Sequence, residues 1–359
     1  MNLYRFIMFG LFILSGKLLF AQTESDTMAC AHNTCFCSND NAPSGVMISH
    51  VHEKNQWMFS YRFMNMNMSD VMSGTKDKAQ SEVFLNYLMA PQSMKMNMHM
   101  LMAMYGITNH FTVMAMFNYF SNSMDMAMFS NSTHQHNSSS NSTVSSTAMN
   151  MKSSGLSDVK LHLLYGLLDK NNHKLLFSLG LNLPLGSIQK TGNADDMAYP
   201  NSRLPYMMQL GSGTFDLMPC LNYLFQYNDL TASAQFSSVL RTNTNSIGYH
   251  YGNEFALNTW MAYSWHQNIS SSVRAEGLLG QTISGQDNTV YYYNEPSANP
   301  NNYGGEKVNL FVGSKYQFQN NFLKNNQLSL EYGLPIYQNL NGLQLKTQQL
   351  FNVAWNYKF

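Results

Sequence analysis

The stretch Phe351-Asn-Val-Ala-Trp-Asn-Tyr-Lys-Phe359 decides the fold. Phe351, Val353, Trp355, Tyr357 and Phe359 share one parity, and Asn352, Ala354, Asn356 and Lys358 hold the other. Successive side chains of a strand point to opposite faces, so this segment has one greasy face and one wet face. An antiparallel strand in a soluble protein can show that alternation too, but seldom closes the chain on an aromatic.

The pattern resembles the C-terminal signal of bacterial outer-membrane β-barrels, whose closing strand alternates and ends in Phe. That resemblance implies an all-β transmembrane antiparallel barrel in the cell outer membrane. Its partners would be the surrounding lipid and the barrel-assembly machinery, which would read the strand ending in Phe359. The other end of the sequence agrees. Arg5, the apolar run Phe6 to Leu14 and the exit Leu18-Leu19-Phe20-Ala21-Gln22 describe a secretory signal over residues 1–21, cut after Ala21. The alternative, an anchoring helix, needs a longer and less interrupted run.

Composition narrows the class. Charged residues make up only 11% of the chain, and Lys+Arg equals Asp+Glu at 20 each, which gives no support for a nucleic-acid partner. No later stretch approaches the roughly 18 consecutive apolar residues of a membrane helix. Alternation and turn residues predict about twelve strands, at 57–68, 94–105, 111–128, 155–168, 173–184, 213–227, 230–242, 253–266, 269–283, 305–318, 326–334 and 349–359. Short connections such as Asn228-Asp229 and Gln267-Asn268 alternate with long ones at 69–93, 129–154, 185–212, 243–252, 284–304 and 335–348. That asymmetry matches tight periplasmic turns and longer outer loops. A short helix is expected over 82–90. The domain layout is a signal peptide at 1–21, a periplasmic tail at 22–56 and a barrel at 57–359.

Parity also assigns faces. Trp57, Phe59, Tyr61 and Phe63 take the lipid side, and charges, costly in hydrocarbon, take the lumen. The lumenal set is Arg62, Asp158, Lys160, Arg241, Glu254, Arg274, Glu276, Lys307, Lys315 and Glu331. Their mixed signs predict pairing across a narrow interior rather than strong ion selectivity.

Methionine is the second anomaly, at 28 residues. Met64, Met66 and Met68 form one alternating set. Met94, Met96, Met98, Met100, Met102 and Met104 form a second, and Met124, Met126 and Met128 a third. Parity puts most of them in the lumen and outer mouth. Thioethers favour Cu(I) and Ag(I) over hard cations, and His99, His134 and His136 lie nearby in sequence. Equally, Met can fill irregular space as a flexible apolar residue. The tail adds Cys30, His32, Cys35 and Cys37, followed by His50 and His52. Thiolate and imidazole together suit Zn or Cu, while an exported compartment favours a disulfide. No cofactor is required, and Cu(I) is the ion to consider.

Two blocks carry a family resemblance. One runs from Ala42-Pro43-Ser-Gly45-Val-Met47 through His50, His52, Trp57-Met58 and Ser60-Tyr61-Arg62 to Met64. The other runs from Ala90-Pro91 to Met104-Tyr105-Gly106. The chain is similar to outer-membrane transporters of the phenol-degradation MetA type, in their Met-rich branch, strongly over 42–128 and by barrel patterning to 359. The resemblance implies transport, with small hydrophobic or aromatic compounds or copper as cargo, and copper-handling proteins as neighbours. The cysteines depart from the His-rich tail expected of that branch. A surface protein that sequesters copper without conducting it is the competing reading. No nucleophile elbow, Gly-rich phosphate loop or zinc-protease helix motif is present, so the chain reads as a non-enzyme.

Overall fold

A computed structural model describes residues 41–130, 145–192, 200–291, 293–319 and 323–359. The chain forms β1 (Trp57–Gly74), β2 (Lys76–Lys78), β3 (Met89–Gly106), β4 (Phe111–Ser130) and β5 (Ser145–Leu156). It continues with β6 (Val159–Lys170), β7 (His173–Leu183), β8 (Asp216–Tyr227), β9 (Leu230–Arg241) and β10 (Tyr249–His250). The last elements are β11 (Glu254–His266), β12 (Ile269–Gly280), β13 (Ser284–Gly285), β14 (Gly305–Gln317) and β15 (Asn326–Lys358). The expected helix at 82–90 is a single turn at Gln80–Val83, and the strand already resumes at Met89.

Sequential antiparallel pairing runs from β1 through β3, β4, β6, β7, β8, β9, β11, β12 and β14 to β15, and β15 pairs back to β1, which closes the barrel. β5 lies beside the outer half of β4 and β6 beside its inner half, so together they make one stave. β15 is a hairpin. Residues 327–340 pair with β14 and 340–358 with β1, and Gln338 Nε2 donates to the Thr347 carbonyl across the fold. Eleven strands close the ring, and the doubled β15 makes twelve staves. The loop expected at 335–348 is therefore continuous strand around a tight turn, where Gly342 takes a φ of 61°.

The two ends of the ring meet at one rim. Trp57 N donates to the Phe359 carbonyl at 2.9 Å, and Phe359 N returns the bond at 3.0 Å. This is the end of the short turns. Outward-facing Phe59, Leu101, Phe117, Leu179, Phe236, Val273, Leu330 and Trp355 are all exposed and give the wall its apolar band. No helix among the described residues is long and apolar enough to cross a membrane, so crossing falls to the strands.

The wall is uneven in height. β3 has 18 residues and β4 20, against 12 in β9 and β12. About 9–11 residues suffice to span hydrocarbon, so β1, β3, β4 and β5 rise well beyond it. Polarity inverts there. Outward residues become Asn65, Asn67, Lys95, Asn97, Ser123 and Asp125, with Asn65 Nδ2 donating to Asn97 Oδ1 at 2.7 Å. Inward residues are mostly methionine, with Asn122, Ser153 and Thr347 among them.

Candidate functional site

The lumen is built from the inward parity of each strand, and its first occupant is the chain itself. Of the segment expected as a periplasmic tail, residues 41–52 run inside the barrel, and Glu53, Lys54 and Asn55 lie exposed at the short-turn rim. Wall side chains hold their backbone at successive points. Arg62 Nη1 donates to the Ser44 carbonyl at 2.6 Å and the Val46 carbonyl at 3.0 Å. Gln235 Nε2 donates to the Ile48 carbonyl, and Asn222 Nδ2 to that of Ser49. His52 N donates to Thr112 Oγ1 at 2.8 Å. Ser44 Oγ, at 3.0 Å, and Gly45 N both donate to Glu331 Oε2. A polar wall thus satisfies a loop backbone that could not otherwise be buried. Between these bonds, Ala42 and Val46 pack on Trp260, and Ile48 and Val51 on the lower methionines.

Charges pair across the interior. Arg274 Nε lies 2.9 Å from Glu331 Oε1 and its Nη1 3.1 Å from Glu276 Oε1, while its guanidinium stacks 3.7 Å from the Phe311 ring centre. Arg241 bridges Asp216, at 2.6 Å, and Glu254, at 3.1 Å. Asp158 accepts from Gly186 N, Ser212 N and Asn182 Nδ2, which ties the loop at 184–215 back to the lumen. Lys307 Nζ approaches Thr347 Oγ1 at 3.5 Å, and Lys315 is buried on the inward face of β14. Lys160 lines a cavity of about 350 Å³ with Met96, Met98, Met218, Tyr206 and Arg241. A second cavity, of about 370 Å³, lies beneath the outer loops between Phe255, Leu278, Leu279, Tyr303 and Lys307. Val239, Tyr251 and Glu254 border both.

The methionines fall into rows, because antiparallel register puts inward residues of neighbouring strands side by side. Met68, Met94, Met124 and Met151 align across four consecutive strands. Met66 faces Met96, Met64 faces Met98, and Met126 faces Met149. With Val83, Leu204, Met208 and Leu345 from the loops and β15, the upper rows form a closed apolar core, and Met128 packs against it. Met100, Met102 and Met104 belong to a lower cluster with Met58, Met114, Met116, Leu164, Leu176 and Cys220. Register sets Arg62 beside Met100 and Lys160 beside Met116, so the lower cluster shares its rows with lumenal charges.

The histidines divide. His50 and His52 lie inside, with ring centres 4.6 Å apart. His99, grouped with the methionines by proximity in sequence, is on the opposite face. Its Nδ1 lies 2.8 Å from Tyr61 Oη among outward aromatics, so the structure does not bring it to the Met rows. The physical reason is parity: His99 alternates with Met98 and Met100 on one strand. His134, His136, Cys30, His32, Cys35 and Cys37 lie outside the described residues. Among the described residues, no group of three or more His, Cys, Asp or Glu side chains is placed to hold a metal.

Several lumenal residues carried no functional expectation. Trp260 and Phe311 face inward. Tyr206, Tyr249, Tyr251 and Tyr303 pack edge to face between three outer loops, with Tyr206 and Tyr249 ring centres 4.8 Å apart. Burial pushes the Tyr249 phenol up to about 12. His162 also faces inward, and its parity with Lys160 in 159–170 was the signal that could have found it.

No family model matches the chain, and no curated protein matches it. Among solved structures it is similar to an outer-membrane channel from Pseudomonas putida F1, with TM-score 0.56 and 12% identity over 86% of this chain and 97% of that one. A FadL homologue from Pseudomonas aeruginosa aligns with TM-score 0.41 and 12% identity, covering 91% and 96%. A toluene transporter from Ralstonia pickettii aligns at 0.41 and 10%, covering 86% and 90%. The closed ring, its outward apolar band and the first of these likenesses give the chain the fold of an outer-membrane β-barrel and place it in that membrane.

Proposed function

We propose that the barrel is a gated transporter of small solutes, of the MetA-like kind, and that soft metal ions such as Cu(I) are its cargo. The observation that carries gating is the segment 41–52, hydrogen-bonded at successive points inside a lumen that retains two cavities of about 350 and 370 Å³. An open porin has no use for a threaded segment. A sealed structural barrel would be expected to fill those spaces with side chains.

The inward facing of the methionine rows supports the ion. A lumen needing only apolar filler could take Leu, Ile or Val, which lose less entropy on burial than Met. Thioethers in adjacent strands offer a soft cation successive exchangeable ligands. Copper-handling proteins in the periplasm would then be the receiving partners, with Cys30, His32, Cys35 and Cys37 as further candidate ligands. We propose transport rather than catalysis, with no resident cofactor.

A second reading rests on the cavity walled by Phe255, Ala256, Leu278 and Leu279, which would suit a small hydrophobic or aromatic compound. One comparison separates the two. Cu(I) and Ag(I) binding to the folded barrel is measured against a variant with Met94, Met96, Met98, Met100, Met102 and Met104 changed to Leu. Leu keeps volume, and each swap should cost under about 1.5 kcal/mol. Loss of bound ions with the barrel intact supports soft-metal cargo. Equal binding, or none in either, moves the function to organic solutes.

A further inference from the structure

One inward row differs from the others. Register sets Met58, Met104, Met114, His162, Gly180 and Met218 side by side on six consecutive strands, β1, β3, β4, β6, β7 and β8. Cβ atoms of such neighbours lie about 4.5–5.5 Å apart. The one imidazole therefore has a thioether strand on its left, and another beyond Gly180 on its right.

The glycine explains how the ring lies. A Cβ at Gly180 would fall 2.4 Å from His162 Cε1 and 2.8 Å from Nε2, so the ring reaches across β7 through the space that only glycine leaves. That brings it toward β8, where Met218 lines the cavity of about 350 Å³. His162 Nδ1 sits 3.1 Å from Ser178 Oγ. His162 is only 5% exposed, and its Nε2 is buried with no hydrogen-bond partner.

A buried nitrogen left unsatisfied costs about 1–3 kcal/mol, and thioethers are weak acceptors and no donors. When Nδ1–H donates to Ser178 Oγ, the Nε2 lone pair is free. This is the arrangement of a metal-ligating histidine, whose other ring nitrogen donates to an outer partner. We infer that His162 Nε2 is a ligand for a monovalent soft cation, Cu(I) or Ag(I), held together with the sulfurs of Met114 and Met218. The inference rests on the soft-metal reading and adds an inner station to it, below the outer rows. Lys160 is the next inward residue on β6, beside the site.

The test is anaerobic Cu(I) loading of the full chain in detergent, followed by X-ray absorption and stoichiometry, on the native protein and on His162→Phe. Phe matches the ring's shape above Gly180 and removes the nitrogen. The expected result is an imidazole shell beside sulfur in the native barrel, absent from the variant together with one bound ion. A sulfur-only shell, or a shell and stoichiometry unchanged in the variant, overturns the inference. A variant with only the outer Met94, Met96 and Met98 changed to Leu separates the two ideas, because it should keep the imidazole-bound ion while losing sulfur-only ones. If His162→Phe does not fold, Met114→Leu combined with Met218→Leu replaces it. At least tenfold weaker binding is then expected, and unchanged affinity refutes the site.

Discussion

Glu331→Gln tests whether the internal segment is a latch. The Glu331 carboxylate accepts from Ser44 Oγ at 3.0 Å and from Gly45 N on the segment, and from Arg274 Nε at 2.9 Å on the wall. Charge-assisted bonds are worth about 1.5–3 kcal/mol, roughly twice their neutral counterparts. Converting the two segment bonds to neutral ones should therefore remove about 2 kcal/mol from the hold on residues 44–46. At 1.4 kcal/mol per factor of ten, the detached population rises about thirtyfold. Arg274 keeps Glu276 and Asn258 Oδ1 as partners, so the wall should survive. Hydrogen exchange read by mass spectrometry gives the local answer, and single-channel recording in planar bilayers gives the functional one. Exchange at residues 44–47 should accelerate by about that factor with wall amides unchanged, and open events should become more frequent. Unchanged exchange at 44–47 in a folded variant would refute the latch. Faster exchange throughout the wall would mean that Glu331 serves the barrel rather than the segment.

Two further outcomes follow from other parts of the molecule. Tyr249 is 1% exposed, and burial pushes its phenol up to about 12. A raised folded-state pKa means the neutral phenol supports the outer loops fully below the unfolded value near 10, with that support lost as pH rises through about 12. The loss is roughly 3 kcal/mol. Tyrosinate absorbance compared between the native chain and Tyr249→Phe should differ by one group ionising near 12; a difference centred near 10 contradicts the burial. Phe359→Ala removes ring contacts with Phe59 at 5.6 Å and Tyr357 at 5.7 Å but leaves the backbone bonds to Trp57. It should slow insertion into the outer membrane in cells while leaving refolding in detergent nearly unchanged. Normal insertion would remove Phe359 as the feature the assembly machinery reads.

Much of the wall was legible because parity is a strong signal wherever one face meets lipid. Trp57, Phe59 and Phe63 against Arg62 and the methionines could be read from the residues alone, as could Arg274 and Glu276 against Val273 and Ala275. Strand ends were less readable above the membrane, where β1, β3 and β4 continue with Asn, Ser and Lys outside; those residues look like loop when lipid is assumed on every outer face. The hairpin in β15 was hidden for a similar reason, since Gln338 to Gln349 is mostly polar and its Leu340, Leu343 and Leu345 do not keep one parity. The internal segment was invisible. Residues 41–52 carry no periodicity, and what holds them is backbone bonding to Arg62, Asn222, Gln235 and Glu331, about which local sequence says nothing. His162 was missed because its lone imidazole matches no ligand spacing; only register shows what stands beside it.

The upper methionine rows have a chemical corollary. Met94, Met124, Met126 and Met151 are almost wholly buried, yet they stand above the bilayer on the side facing the surroundings of the cell. A thioether takes up oxygen readily and becomes polar when it does, so peroxide arriving from outside can reach these sulfurs only when the loops covering them part. Sulfoxide would then accumulate in proportion to the time spent open, and once formed it would resist repacking. The core thus acts as a recording clock of its own breathing, written in oxygen atoms and legible by mass, residue by residue.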